Sequence, residues 1–336
     1  MAVIACVGAT EPDEGGDPIV PSGFRLVADA AASPASAGTL ADLGWDGGRF
    51  TLSGGGAVTV YVSEAYADDP EAGRRWANYL GGLVHGDELG LLAAYIAPPD
   101  EVRELCRADA LGCYGSDTMI SVGETIDGVT PEEVVAHEYG HHVAHNRANP
   151  PWRTIDYGTK RWASHARICT RADAAEVFPG DQGVHYRLNP GEGFAEVYRA
   201  LVESTRGAGT FTWWLVDRSF YPDAEALVRV EADVLRPWLP SKPVTTRARV
   251  PAGASVWTTR VATPLDGELE VTLKLPAGAG GKLAVLEART GRVAARGLWS
   301  SMTEQRAGVR ICGARAMTIR VIASPRTRFS LGVSTP

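Results

Sequence analysis

Long apolar runs are missing from this chain of 336 residues: none approaches the roughly 18 residues a bilayer-spanning helix needs, so a soluble or at most tethered protein is expected. No Lys/Arg block and no basic stripe occurs in the sequence. With 33 Lys and Arg against 40 Asp and Glu, the formal charge is −7, and a nucleic-acid partner is not expected. No two cysteines have the CxxC spacing, which leaves thiolate metal sites without support. No calcium-binding loop pattern is present. Histidine is scarce, with seven in all and none after His185, so the C-terminal part is not expected to hold a histidine-ligated metal.

What is present is ordinary globular material, 45% apolar and 22% charged, in a length that suggests two domains. Met1 to Ala9 is apolar and small, like the end of a signal peptide, although it lacks a basic start. Val3-Ile4-Ala5-Cys6 is similar to a lipobox, with Cys6 as the lipid-bearing residue; the alternative is that Met1 is an internal start. Residues 1–20 are therefore read as a leader remnant and linker, and export as the expected route. Four cysteines remain. Cys106 and Cys113 are close enough to close a small disulfide loop, which oxidising compartments preserve. Cys169 and Cys312 could bridge the two domains, but the sequence leaves that pairing open.

Along the chain, Arg49 to Val62 reads as a hairpin around a glycine turn, Asp69 to Leu83 as a helix, and Leu91 to Ile96 and Met119 to Val122 as strands. Strands followed by helices predict an α+β catalytic domain over residues 21–240. The proline-rich segment Leu235 to Val244 marks a boundary. Short β-rich runs separated by Gly, Pro and Asp turns follow it, including the hairpin signal at Thr290-Gly291. They predict a smaller all-β sandwich over residues 245–336.

The chemistry concentrates in Thr130 to Asn146. Thr130, Pro131 and Glu133 form a helix start with hydroxyl cap, proline at the first position and reciprocal carboxylate. Within that helix lies His137-Glu138-x-x-His141. Residues four apart stack one turn above each other, so both imidazoles reach one ion, and Glu138 beside them can take a proton from a polarised water. Downstream, Asn189-Pro190-Gly191-Glu192 starts a second helix in which Glu192 and Glu196 share a face. One can ligate the ion while the other orients a ligating histidine. His85, His142, His145 and His165 are left outside the site.

These two motifs resemble the gluzincins, the thermolysin-like superfamily in which HExxH is followed by a helical ExxxD or ExxxE. The resemblance covers the two helices, about 35 residues, and implies a zincin-like catalytic domain. It implies one Zn2+ held by His137, His141 and Glu192, with Glu196 supporting a histidine and Glu138 as the general base. It also implies an oxyanion-stabilising Tyr or His; Tyr186 is the candidate and His185 its rival. The β-rich tail resembles a pre-peptidase C-terminal domain. The resulting expectation is a secreted, monomeric zinc peptidase acting on a peptide or protein substrate, whose extended chain adds to an edge strand near Met119–Val122. The alternatives are an exported non-catalytic binding module with a structural or degenerate zinc site, or a zinc amidase acting on cell-wall peptides.

Overall fold

The computed structural model describes residues 25–28, 45–207, 212–213 and 215–336, with backbone alone for 25–28. The leader reading and Cys6 lie outside those residues. Among the described residues no helix is long and apolar enough to cross a membrane. The chain mixes helices with three sheets, and its buried apolar residues fall into two clusters, one from Leu52 to Val234 and one from Val250 to Leu331.

The first cluster is built on a six-stranded sheet in the order β1-β5-β6-β4-β3-β2. Its strands are β1 (Arg25–Ala28), β2 (Asp46–Thr51), β3 (Ala57–Val62), β4 (Ala93–Ala97), β5 (Ala110–Gly115) and β6 (Thr118–Val122). Strands β3, β4 and β6 run parallel; β5 is antiparallel to β6, and β1 runs parallel to β5 on its outer edge. Every residue of β6 is buried, as expected of a strand covered on both faces. The disulfide Cys106–Cys113 ties the middle of β5 to the C-terminal end of the preceding helix.

The helices are α1 (Ala72–Gly81), α2 (Pro99–Leu105), α3 (Pro131–His145), α4 (Thr154–Tyr157), α5 (Lys160–His165), α6 (Ile168–Asp173), α7 (Pro190–Thr205) and α8 (Ala224–Leu235). Helix α3 lies on β5 and β6 and packs against α7. Its start is the capping box read from the sequence. Thr130 Oγ1 accepts from the Glu133 amide at 3.3 Å, and Glu133 Oε2 accepts from the Thr130 amide at 2.8 Å. The helix ends at His145, before Asn149-Pro150-Pro151 is reached.

The second cluster lies between two four-stranded antiparallel sheets, β11-β10-β13-β8 and β12-β9-β14-β7. These are β7 (Val244–Arg249), β8 (Val256–Ala262), β9 (Gly267–Lys274), β10 (Gly281–Glu287), β11 (Val293–Arg296), β12 (Glu304–Ile311), β13 (Ala316–Ala323) and β14 (Arg328–Ser334). Strict alternation in β9 and β14 turns Leu269, Val271, Leu273, Phe329 and Leu331 inward. The sandwich meets the helical part through one of its ends. Cys169 on α6 is bonded to Cys312, the Asp266 amide donates to Ser164 Oγ at 2.9 Å, and Arg315, held by Asp266, donates to Ser164 O at 3.2 Å.

Lys160 is buried in that junction. Its Nζ donates to Pro150 O at 3.0 Å and stands 4.6 Å from the Trp238 ring centroid. Burial pulls its pKa down to about 8, against the opposing pull of Asp266 and Asp233. The unfolded chain holds this proton up to about pH 10.4. Between those values the unfolded state binds more protons, so stability rises with pH through the window and is flat beyond it. Urea unfolding should show a rise of roughly 3 kcal/mol at most from this group. Lys160→Met should remove that rise; identical pH profiles for the two proteins would contradict it.

Candidate metal centre

Helices α3 and α7 touch through small residues. Gly140, inside the His137–His141 turn, faces Ala195, and a Cβ there would come within 2.7 Å of the Ala195 Cα. Glycine thus sets how close the two backbones lie, and that closeness lets side chains from both helices converge. Asn189 holds the start of α7, accepting from the Gly191 amide at 3.0 Å and the Gly180 amide at 3.1 Å.

Three ligand atoms meet at the crossing. His137 Nε2 and His141 Nε2 are 3.2 Å apart, and Glu192 Oε2 lies 3.3 Å from the first and 3.4 Å from the second. Ligands in a tetrahedral shell about 2.0–2.1 Å from zinc are separated by about 3.3–3.4 Å, so this triangle matches one face of such a shell. His137, His141 and Glu192 form a group that can hold a metal ion.

The surroundings fix each ligand. Glu196 Oε2 is 3.1 Å from His137 Nδ1, so the ring donates there and turns the Nε2 lone pair toward the other two ligands. Arg199 grips both Glu196 oxygens, at 3.1 and 2.7 Å, and also binds Glu203. Gln182 Nε2 donates to Glu192 Oε1 at 3.0 Å, and the Tyr186 hydroxyl donates to Glu192 Oε2 at 2.9 Å. Tyr186 therefore stands beside the ligand triangle. His185, its rival, stacks on Phe178 and pairs with Asp181.

The side chains of His137, Glu138, His141 and Glu192 are all 0% exposed. Both carboxylate oxygens of Glu138 and the Nδ1 of His141 are buried with no hydrogen-bond partner among the described residues. Burial raises the Glu138 pKa well above the usual carboxylate range; His137 opposes this and Glu192 adds to it. Burial opposes the charged form of Glu196 as well, but Arg199 and His137 outweigh it and hold its pKa at about 2. Buried polar atoms left unpaired in this way are costly in a folded core. Their position beside three convergent ligands fits a centre organised around a cation and its water.

The remaining histidines serve other ends. His142 Nε2 donates to Glu88 O at 2.8 Å, while its Nδ1 faces the Tyr114 hydroxyl at 3.2 Å. Glu88 also accepts from Tyr139 and Arg147, so this network anchors the back of α3. His145 packs its ring against Tyr114, and His165 pairs with Asp223. His85 Nδ1 lies 3.0 Å from Gly86 O.

The expected substrate edge needs correction. Met119–Val122 belongs to β6, which has β5 on one side and β4 on the other and offers no free edge. The strand over the centre is β5, where a Cβ at Gly112 would meet Glu138 Oε1 at 3.0 Å. Its outer edge is taken by β1, which also lies against α3 and α7.

No protein-family model matches the chain, and no curated protein does either. Among the solved structures similar to parts of it are the following three. A mitogen derived from Yersinia pseudotuberculosis is 13% identical over 29% of this chain and 88% of its own, with a TM-score of 0.23. The pre-peptidase C-terminal domain of a Bacillus anthracis collagenase is 14% identical over 27% and 87%, with a TM-score of 0.22. A 4-O-methyl-alpha-glucuronidase with specificity for decorated arabinogalactans is 7% identical over 61% and 38%, with a TM-score of 0.21. At such scores these likenesses carry no argument about function.

Elemental analysis of the purified protein should find about one divalent ion per chain, lost in Glu192→Ala, with affinity about 10–100-fold weaker in Glu196→Ala. Gly140→Val should push α7 away, lowering stability by about 1–3 kcal/mol and weakening metal binding with all ligands still in place. Undiminished metal affinity in Gly140→Val would show that the close approach of the helices is not needed.

Proposed function

We propose that the protein is an exported zinc peptidase with a gluzincin-like centre in a zincin-like domain, hydrolysing peptide bonds. The observation that carries this reading is Glu138. Its carboxylate is wholly buried, has no partner among the described residues, and stands next to a ligand set matching one face of a tetrahedral shell. A structural zinc site has no use for such a group, whereas hydrolysis needs a base there.

His137, His141 and Glu192 would hold the ion, and their two-nitrogen, one-carboxylate donor set suits zinc. When bound, zinc supplies Lewis acidity that polarises a carbonyl and makes water a nucleophile near neutral pH. Glu138 takes the proton from the attacking water and returns it to the leaving amine. Glu196, clamped by Arg199, holds His137 in the tautomer that ligates. Tyr186 keeps its hydroxyl beside Glu192, within the set of groups available to steady an oxyanion. The two disulfides support an oxidising, extracellular location.

A second reading, a binding protein with a structural ion, is favoured by the complete burial of the ligands and by β1 on the outer edge of β5. It lacks a fourth protein ligand from His142 or His145, both of which are engaged elsewhere.

Peptide-library hydrolysis by the wild type and Glu138→Gln separates the readings. The peptidase reading expects cleavage by the wild type and a loss of at least about 10²–10⁴-fold in Glu138→Gln at unchanged zinc content. A zinc-loaded wild type that cleaves no peptide, nor any cell-wall amide offered in parallel, would leave the structural-ion reading standing.

A further inference from the structure

The charge of the chain is divided very unevenly. From residue 244 onward Lys and Arg number 14 against 5 Asp and Glu, a net +9, while the residues before it carry −16. No block of basic residues exists in the sequence because the sheets, not the chain order, bring these residues together. The sandwich is also polar end to end. The end formed by the β8–β9 and β12–β13 loops docks on the helical part through Asp266, Cys312 and Arg315. The opposite end, formed by the β7–β8, β9–β10, β11–β12 and β13–β14 loops, is turned away from that junction.

Basic and apolar side chains collect at this free end. In the ladder Arg249 lies directly opposite Arg328, while Arg247 and Lys274 both lie opposite Ser330. Like charges facing each other across strands are destabilising on their own. Among the described residues no carboxylate pairs with Arg247, Arg249 or Arg328; Glu304 is engaged by Lys274 and Arg306. The four basic residues line a groove of about 590 Å3 together with Leu275, Pro276 and Phe329. Beside it, the Leu275 amide donates to Thr303 O at 2.8 Å, which attaches the β11–β12 loop to the groove's rim. That loop exposes Leu298 at 87%, Trp299 at 57% and Met302 at 66%. Trp299 stays close to Gly280, where a Cβ would meet its Nε1 at 2.7 Å, so the indole is seated on the β9–β10 loop.

We propose that this free end docks the protein on an anionic lipid surface. A soluble polyanion needs only the basic groove and gives no role to three large apolar side chains held out into water on the adjacent loop. An anionic bilayer uses both: the headgroups meet Arg247, Arg249, Arg328 and Lys274, and the Trp299 loop enters the boundary between headgroups and acyl chains. The acidic remainder of the chain is repelled by the same surface, which orients the molecule with the sandwich down. The inference stands independently of the metal centre.

The test is co-sedimentation of the full chain with phosphatidylcholine vesicles, with and without phosphatidylglycerol, at low and high salt. Binding is expected only with phosphatidylglycerol and is expected to weaken with salt. Each positive charge removed should weaken partitioning by about fivefold, as in Arg249→Gln and Arg328→Gln. Leu298→Ala/Trp299→Ala should weaken it further with the charges intact. Circular dichroism and metal content should be unchanged in all variants, since every altered side chain is exposed. Equal binding to neutral vesicles, or no binding to either, overturns the proposal. So does binding to soluble polyphosphate that competes fully with vesicles and is indifferent to Leu298→Ala/Trp299→Ala, an outcome that would assign the groove to an anionic polymer instead.

Discussion

Two helices share one ion only if their backbones approach closely enough for short side chains on both to reach it. Here that approach rests on Gly140 meeting Ala195. Everything else at the centre is arranged around this contact. The capping box at Thr130 and the Asn189 cap fix where each helix begins, hence the turn on which its ligands fall. The anchor of His142, Tyr139 and Arg147 on Glu88 keeps α3 from rotating about its axis. An ion held by His137, His141 and Glu192 would tie the two helices together, so metal binding and helix packing reinforce each other.

Electrostatics points the same way. Glu138, Glu192 and Glu196 are buried within one small volume, and the guanidinium of Arg199 is committed to Glu196 and Glu203. Buried carboxylates without compensation are costly, and hydrogen bonds from Gln182 and Tyr186 offset only part of that cost at Glu192. Cationic charge at this point relieves the rest. Without a metal His137 itself takes that part: burial opposes its protonation, but Glu192 and Glu196 outweigh burial and raise its pKa to about 9.

Much of this was legible in the sequence because it is local. His137, Glu138 and His141 lie within one helix, and Glu192 and Glu196 within another, each announced by its cap and by spacing that repeats with the helical turn. The strands with alternating apolar residues, such as β9 and β13, were also readable. What the sequence did not disclose depends on long-range pairing. Arg199 and Gln182 carry no motif; their partners are fixed only when α7 and the preceding loop fold over α3. Strand β5, Ala110–Gly115, contains two glycines and a disulfide cysteine and gives little periodic signal. Its role over Glu138 and its pairing with β1 appear only in three dimensions. Strands β7 and β12 carry little apolar periodicity, because Thr, Arg, Glu and Gln outnumber their apolar residues. Arg247 and Arg249 of β7 are among the residues that make the basic end of the sandwich.

The bond between Cys169 and Cys312 spans a separation of 143 residues, and the proline-rich segment Leu235–Val244 lies inside that span. The peptide backbone is therefore not the only covalent route between the two halves of the molecule. A single nick anywhere between the two cysteines, including one made in the connecting segment, leaves both pieces on one covalent frame. A cut that would separate the halves of a simple two-part protein here changes only the connectivity, and both halves stay together until the sulfur bond is reduced.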